Sequence, residues 1–216
     1  MRKSIFFNVW ALLCLKKGKL SVVFFSHKNF KIFRCIQATF LFLSYACFAQ
    51  NVAIEPLKIG DKFPEAVLNV SFPRIANGSK PGDSLQLNQY KGKIILLDFW
   101  ASWCSTCIYK FPLLAELQRK YKDDLVVILV DSKETKDTPE RILGILTGVK
   151  APFQKTALPS IYNDTILTKL FPHRFLPHYV WFGKDGTLKM ISSAELLNAE
   201  TVNALLYQPL KTPQKP

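Results

Sequence analysis

The sequence predicts an α/β fold with a central mixed sheet flanked by helices. Two uninterrupted apolar runs, Ile94–Trp100 and Leu125–Val130, have the length and composition of strands covered on both faces, as in a parallel sheet. Between them, Ser105 to Tyr121 carries Leu113, Leu114 and Leu117 at helical spacing, which makes a strand–helix–strand unit. Further on, Asp185-Gly186 separates His178–Phe182 from Thr187–Ile191, a hairpin pattern that adds antiparallel pairing.

The remaining elements follow in chain order. Residues 50–58 read as a linker, and Ile59 opens a domain that runs to 208. Ala66–Val70 is expected as a strand, Ile75–Asp83 as a turn-rich stretch, and Ser84–Asn88 as the return strand of an N-terminal hairpin. Pro112 is expected to kink the helix it lies in, because it lacks the N–H and crowds the preceding turn. Pro139–Leu146 reads as a helix capped by Thr138. Thr147–Ser160, with two prolines, reads as a loop-like insertion. Asn163 or Asp164 is expected to cap a short helix ending near Phe171-Pro172. A final helix spans Leu196–Tyr207, and 209–216 form a tail.

The net charge of +13 divides unevenly. Residues 1–50 hold eight Lys/Arg and no acid; residues 51–216 hold 21 basic and 16 acidic residues, a net of +5. Basic residues are not interleaved with aromatics in a way that marks a nucleic-acid surface. Lys28, Lys31 and Arg34 precede the apolar stretch Cys35–Phe48, and Cys47-Phe48-Ala49 ends in small residues at the positions a signal peptidase reads. Residues 1–49 therefore read as a targeting segment, either a signal peptide cut after Ala49 or a retained anchor. Only an uncleaved segment would attach the chain to a membrane. A second apolar run, Ile5–Leu15, precedes it, which suggests that translation starts nearer Val22 or Val23. Cleavage after Ala49 would leave Cys104 and Cys107 as the only cysteines, too few for a disulfide scaffold and suited to redox work.

Cys104-Ser105-Thr106-Cys107 follows the first apolar strand and opens the helix. A dithiol placed there, with one sulfur accessible and the other sheltered, can exchange electrons with disulfides in other proteins. The run Asp98-Phe99-Trp100-Ala101-Ser102-Trp103-Cys104-x-x-Cys107 closely resembles the active site of thioredoxin-like proteins. Pro112 matches that family's kink proline, and Leu176-Pro177-His178 its cis-proline loop. The Gly60…Pro64 opening, the hairpin and the insertion before Pro177 resemble the TlpA-like thiol–disulfide oxidoreductases of the cell envelope. The resemblance covers roughly residues 59–208.

The resemblance implies a thioredoxin-like fold and a redox-active Cys104–Cys107 disulfide, with no other cofactor. Cys104 would be the attacking thiolate and Cys107 the resolving thiol. Asp98, flanked by Leu97 and Phe99, is expected to be buried and to accept a proton from Cys107. Pro177 would face the dithiol, and the backbone beside it would pair with an extended substrate segment. Trp103, Leu176 and His178 would border the substrate. Ser105 and Thr106 stand where thioredoxins carry Gly-Pro and would tune the potential, which in related dithiols runs from about −270 to about −120 mV.

The implied activity is disulfide exchange with cysteines of exported proteins in the periplasm or cell envelope, as a reductant fed by a membrane dithiol donor. Two alternatives compete. A peroxidase of the peroxiredoxin type shares the fold, but Ala101 stands where those enzymes carry Thr three residues before the reactive cysteine. A redox-gated binding module would need the disulfide only as a latch. No metal is expected: Cys104/Cys107 and His173/His178 have ligand-like spacings, but the two pairs lie too far apart for a zinc finger.

Overall fold

The computed structural model describes residues 54–149 and 152–207, together with the backbone of 11–16 and 19–24. The apolar stretch Cys35–Phe48, the cleavage position after Ala49 and the tail at 209–216 lie outside the described residues. The chain divides into two units, Met1–Ala53 and Ile54–Pro216. In the first, β1 (Ala11–Lys16) pairs antiparallel with β2 (Lys19–Phe24). Among the described residues no helix is long and apolar enough to cross a membrane.

The second unit is built on a seven-stranded sheet in the order β4-β3-β7-β6-β5-β8-β9. Its centre is β5 (Ile94–Trp100), every residue of which is buried. It pairs parallel with β6 (Leu125–Ser132) and antiparallel with β8 (His178–Phe182). β7 (Ser160–Asp164) extends the parallel part beyond β6. The hairpin of β3 (Phe72–Ile75) and β4 (Ser84–Leu85) closes one side, and β9 (Leu188–Ser192) the other.

Alternation along β5 divides the core. Ile94, Leu96 and Trp100 face one apolar cluster; Ile95, Leu97 and Phe99 face the other. The first cluster is covered by α3 (Phe111–Lys120), α4 (Pro139–Leu146) and α6 (Ala199–Leu206). The second is covered by α1 (Glu65–Leu68) and α5 (Leu167–Leu170).

Several elements differ from expectation. Ala66–Val70 is not a strand: Glu65–Leu68 form one helical turn, and the hairpin's first strand starts later, at Phe72. Ala66 and Leu68 are good helix formers, and Pro64 is tolerated before a first turn because no intrahelical N–H is needed there. Ser84–Asn88 shortens to a two-residue strand, followed by a 3₁₀ turn at Leu87–Tyr90. The helix from Ser105 does not merely bend. It stops at Ile108 as α2 (Ser105–Ile108) and restarts at Phe111 with Pro112 in the first turn, where a missing N–H costs nothing. The stretch after the insertion contains β7, which the sequence reading lacks. Asp164 does cap the short helix after it, its carboxylate accepting from the N–H groups of Ile166, Leu167 and Thr168. The final helix starts at Ala199, after a 3₁₀ turn at Ala194–Leu196.

Candidate active site

The sheet delivers the site at the end of β5. Beyond Trp100 the chain turns through Ala101–Trp103, where Cys104 N–H donates to Ala101 O (3.0 Å), and enters α2 with Cys104 as the N-cap. Cys104 and Cys107 form a disulfide with Cα atoms 5.3 Å apart. Cys104 keeps 6% exposure and Cys107 none. The accessible margin is narrower than the sequence suggests, but it belongs to the first cysteine alone. Cys107 N–H donates to Cys104 Sγ (3.3 Å), and the Thr106 hydroxyl lies 3.4 Å from the same sulfur. Both groups can stabilise negative charge there. Ser105 and Thr106 are exposed beside it.

The two tryptophans part company. Trp100 is 1% exposed, its indole N–H bonded to Ser160 Oγ (3.0 Å) and its ring edge-on to Phe111. Trp103 is 65% exposed at the rim. Across from it, the Leu176–Pro177 peptide is cis. A cavity of about 170 Å³ lies between these loops, lined among others by Phe99, Trp103, Glu134, His173, Arg174 and Leu176.

Asp98 lies on the same sheet face as the first core cluster, which contains both cysteines. It is fully buried and neither carboxylate oxygen has a hydrogen-bond partner. Loss of water pushes its carboxyl well above the ordinary carboxylate range. Its cross-strand neighbour is Tyr179, whose hydroxyl is also buried and unpartnered; burial, then the nearby Asp98, raise that phenol. Burial therefore favours the protonated form of Asp98.

His178 is not gathered with these groups. It pairs in register with Phe99, stacks on His173 at 4.7 Å and meets Phe99 edge-on, within the opposite core. Burial, with His173 adding to it, pushes its pKa down to about 4. Among the described residues no group of three or more metal-ligating side chains gathers. The sequence reading did not single out Tyr179, Arg174, Asp131 or Asp137. Asp131 carried a signal that could have been read: like Asp98, it follows a run of buried apolar residues.

A family model for Redoxin matches residues 58–154. The thioredoxin-like protein YneN of Bacillus subtilis (strain 168) is 34% identical over 94 residues, covering 38% of this chain and 55% of that protein. The thiol-disulfide oxidoreductase ResA of Bacillus thuringiensis subsp. konkukian (strain 97-27) is 33% identical over 82 residues, 38% of this chain and 42% of that one. The chain thus spans about half the length of these relatives. Among solved structures, a protein assigned as thiol:disulfide interchange protein DsbE from Chlorobium tepidum superposes with a TM-score of 0.51 at 23% identity, covering 69% of this chain and 99% of the other. The fold is thioredoxin-like, and it carries the Cys-x-x-Cys at the end of β5. Over residues 58–154 its sequence is similar to the Redoxin family and to the thiol-disulfide oxidoreductases named above.

Proposed function

We propose that the chain is a protein thiol–disulfide oxidoreductase of the cell envelope, acting as a reductant on cysteines of exported proteins. The observation that carries this reading is the asymmetric disulfide: Cys104 at the surface edge, Cys107 sealed, and an unpartnered acid on the same face of the sheet.

In the reducing direction, Cys104 thiolate attacks one sulfur of a client disulfide. The client's S–S bond breaks, its other sulfur leaves as thiolate, and a mixed disulfide forms. Cys107 then gives up its proton and attacks Cys104 Sγ, releasing the client as dithiol and closing the Cys104–Cys107 bond. Asp98 cycles a proton in this scheme: its O–H goes to the client thiolate that leaves, and the resulting carboxylate takes the Cys107 proton as that sulfur attacks. The reverse direction uses its O–H to protonate Cys107 as the bond opens. Thr106 and the Cys107 N–H hold charge on Cys104, while Trp103, Leu176 and the cis peptide at Pro177 border the client segment.

A reductant in an oxidising compartment must be recharged, so a membrane dithiol donor is the implied upstream partner. The names of ResA and DsbE, both assigned to disulfide exchange, support the reaction class. Replacing Cys107 with Ser is expected to trap mixed disulfides between Cys104 and clients, while Cys104→Ser abolishes exchange. Equilibration with glutathione is expected to place the couple nearer the −270 mV end of the related range than the −120 mV end, roughly. A double cysteine variant that keeps the same partners would support the binding-module alternative instead.

A further inference from the structure

Beside the dithiol lies a second group of buried acids that the exchange steps do not use. Asp131 ends the apolar run of β6, 1% exposed and in register with Trp100. Asp137 lies six residues on, with its side chain fully buried. Its carboxylate accepts the Ser102 N–H at 2.6 Å and the Ser102 hydroxyl, and Arg141 Nη1 approaches the same carboxylate at 3.3 Å. Ser102 stands two residues before Cys104, in the turn between β5 and α2.

The turn that carries Asp137 is shaped for this contact. A 3₁₀ turn at Lys133–Thr135 ends at Lys136 in the left-handed region (φ 59°), a conformation that non-glycine residues rarely adopt without compensation. Thr135 ties the group together: its hydroxyl lies 3.0 Å from Asp131 Oδ2 and 2.8 Å from Ser132 O, and it accepts the Asp137 N–H at 3.2 Å.

We propose that Asp137 is a positioning residue that clasps the active-site loop at Ser102, and that Asp131 holds the clasp closed. This rests on the disulfide-exchange reading above. A carboxylate bonded to a main-chain N–H fixes the backbone itself, so the path from Trp100 to Cys104 is set by residues 35 positions away in sequence. The charged and polar groups that meet the pair are Arg141 from α4, which bonds Asp137, the Thr135 hydroxyl, and the main chain of Asn163 from β7 close to Asp131.

Burial, opposed by Thr135 and helped by the charge of Asp137, pushes Asp131 up to about 8. Ionisation of Asp131 adds negative charge beside the clasp and loosens the Ser102 contact.

The test uses the full chain with the Cys104–Cys107 disulfide formed, so that neither of these two thiols titrates, and the rate at which dithiothreitol opens that disulfide. Asp137→Ala is expected to change that rate by about tenfold, since small displacements of reacting groups cost rate steeply. Ser102→Ala should move it in the same direction by a smaller factor, with Ser102→Thr restoring it. Tryptophan fluorescence of the oxidised protein should show a step near pH 8 that Asp131→Asn removes. Ser102→Ala removes only a loop hydroxyl, so it reports even if Asp137→Ala fails to fold. Wild-type rates and an unchanged pH profile in Ser102→Ala and Asp131→Asn would overturn the clasp and leave the exchange reading intact. A wild-type disulfide that exchanges with no thiol would instead overturn the exchange reading.

Discussion

The two faces of the sheet have opposite kinds of core. Under α1 and α5, Phe63, Phe99, Phe171 and Phe182 interlock, with Phe63 and Phe182 centroids 4.4 Å apart and Phe171 meeting Phe99 and Phe182 edge-on. Under α3, α4 and α6, the core holds a disulfide, the bare carboxyl of Asp98 and the bare hydroxyl of Tyr179. Burying polar groups without partners costs free energy, whereas the aromatic face gains it. One side of the sheet stabilises the fold, and the other side uses part of that stability to hold reactive groups dry. The aromatic side is not free of such groups: His178 Nε2, beside the cis peptide, and Arg74 Nε on β3 are also buried without partners.

The largest effect expected from breaking this contrast is on the aromatic face. Phe182→Ala should destabilise the fold by about 3–5 kcal/mol in urea titrations, while the glutathione equilibrium of the surviving native protein stays near wild type. An altered equilibrium there would mean that the two faces are coupled.

Next in size is Asp98→Asn. The folded carboxyl binds its proton more tightly than the unfolded one, so its contribution to stability is fully present below about pH 4 and declines as pH rises toward the raised folded value. The slope should reach up to about 1.4 kcal/mol per pH unit within that window, and the Asn variant should lack this component. Equal pH dependence in the two proteins would contradict burial of the acid. The smallest effect is expected at Trp103→Ala, within about 0.5 kcal/mol of wild-type stability because the ring is exposed. That variant should slow exchange with a protein client more than with glutathione; equal slowing would remove Trp103 from the client-facing rim.

The strongly buried parts were the most legible in sequence. β5, β8 and α4 fall on the expected residues, because continuous apolar runs and a Thr-Pro helix start are local signals. The Asp185-Gly186 turn was equally plain, with Gly186 in the left-handed region (φ 73°) that the turn requires. α1 was misread because Val67 and Val70 suggest a strand where four residues form a helical turn. β7 was missed because Ser160–Asp164 is short, follows Pro159 and ends in turn-forming residues; its strand state comes from pairing with β6 and β3. In the site, the cysteines, Asp98 and the two tryptophans lie in one contiguous run, so their grouping was visible. The bond from Asp137 to Ser102 joins a polar loop to a distant turn, and no local pattern announces such a contact.

The borders of the sheet have a consequence of their own. At one border β4 offers only two residues. At the other, the start of β9 is already engaged: Gly60 N–H bonds Leu188 O and Leu188 N–H bonds Asp61 O. Charged Lys189 lies further along that strand. Exposed strand borders invite unfolded chains to add on and aggregate, and short or charged ones discourage it. An unfolded polypeptide that meets this protein therefore finds little ladder to extend at either flank.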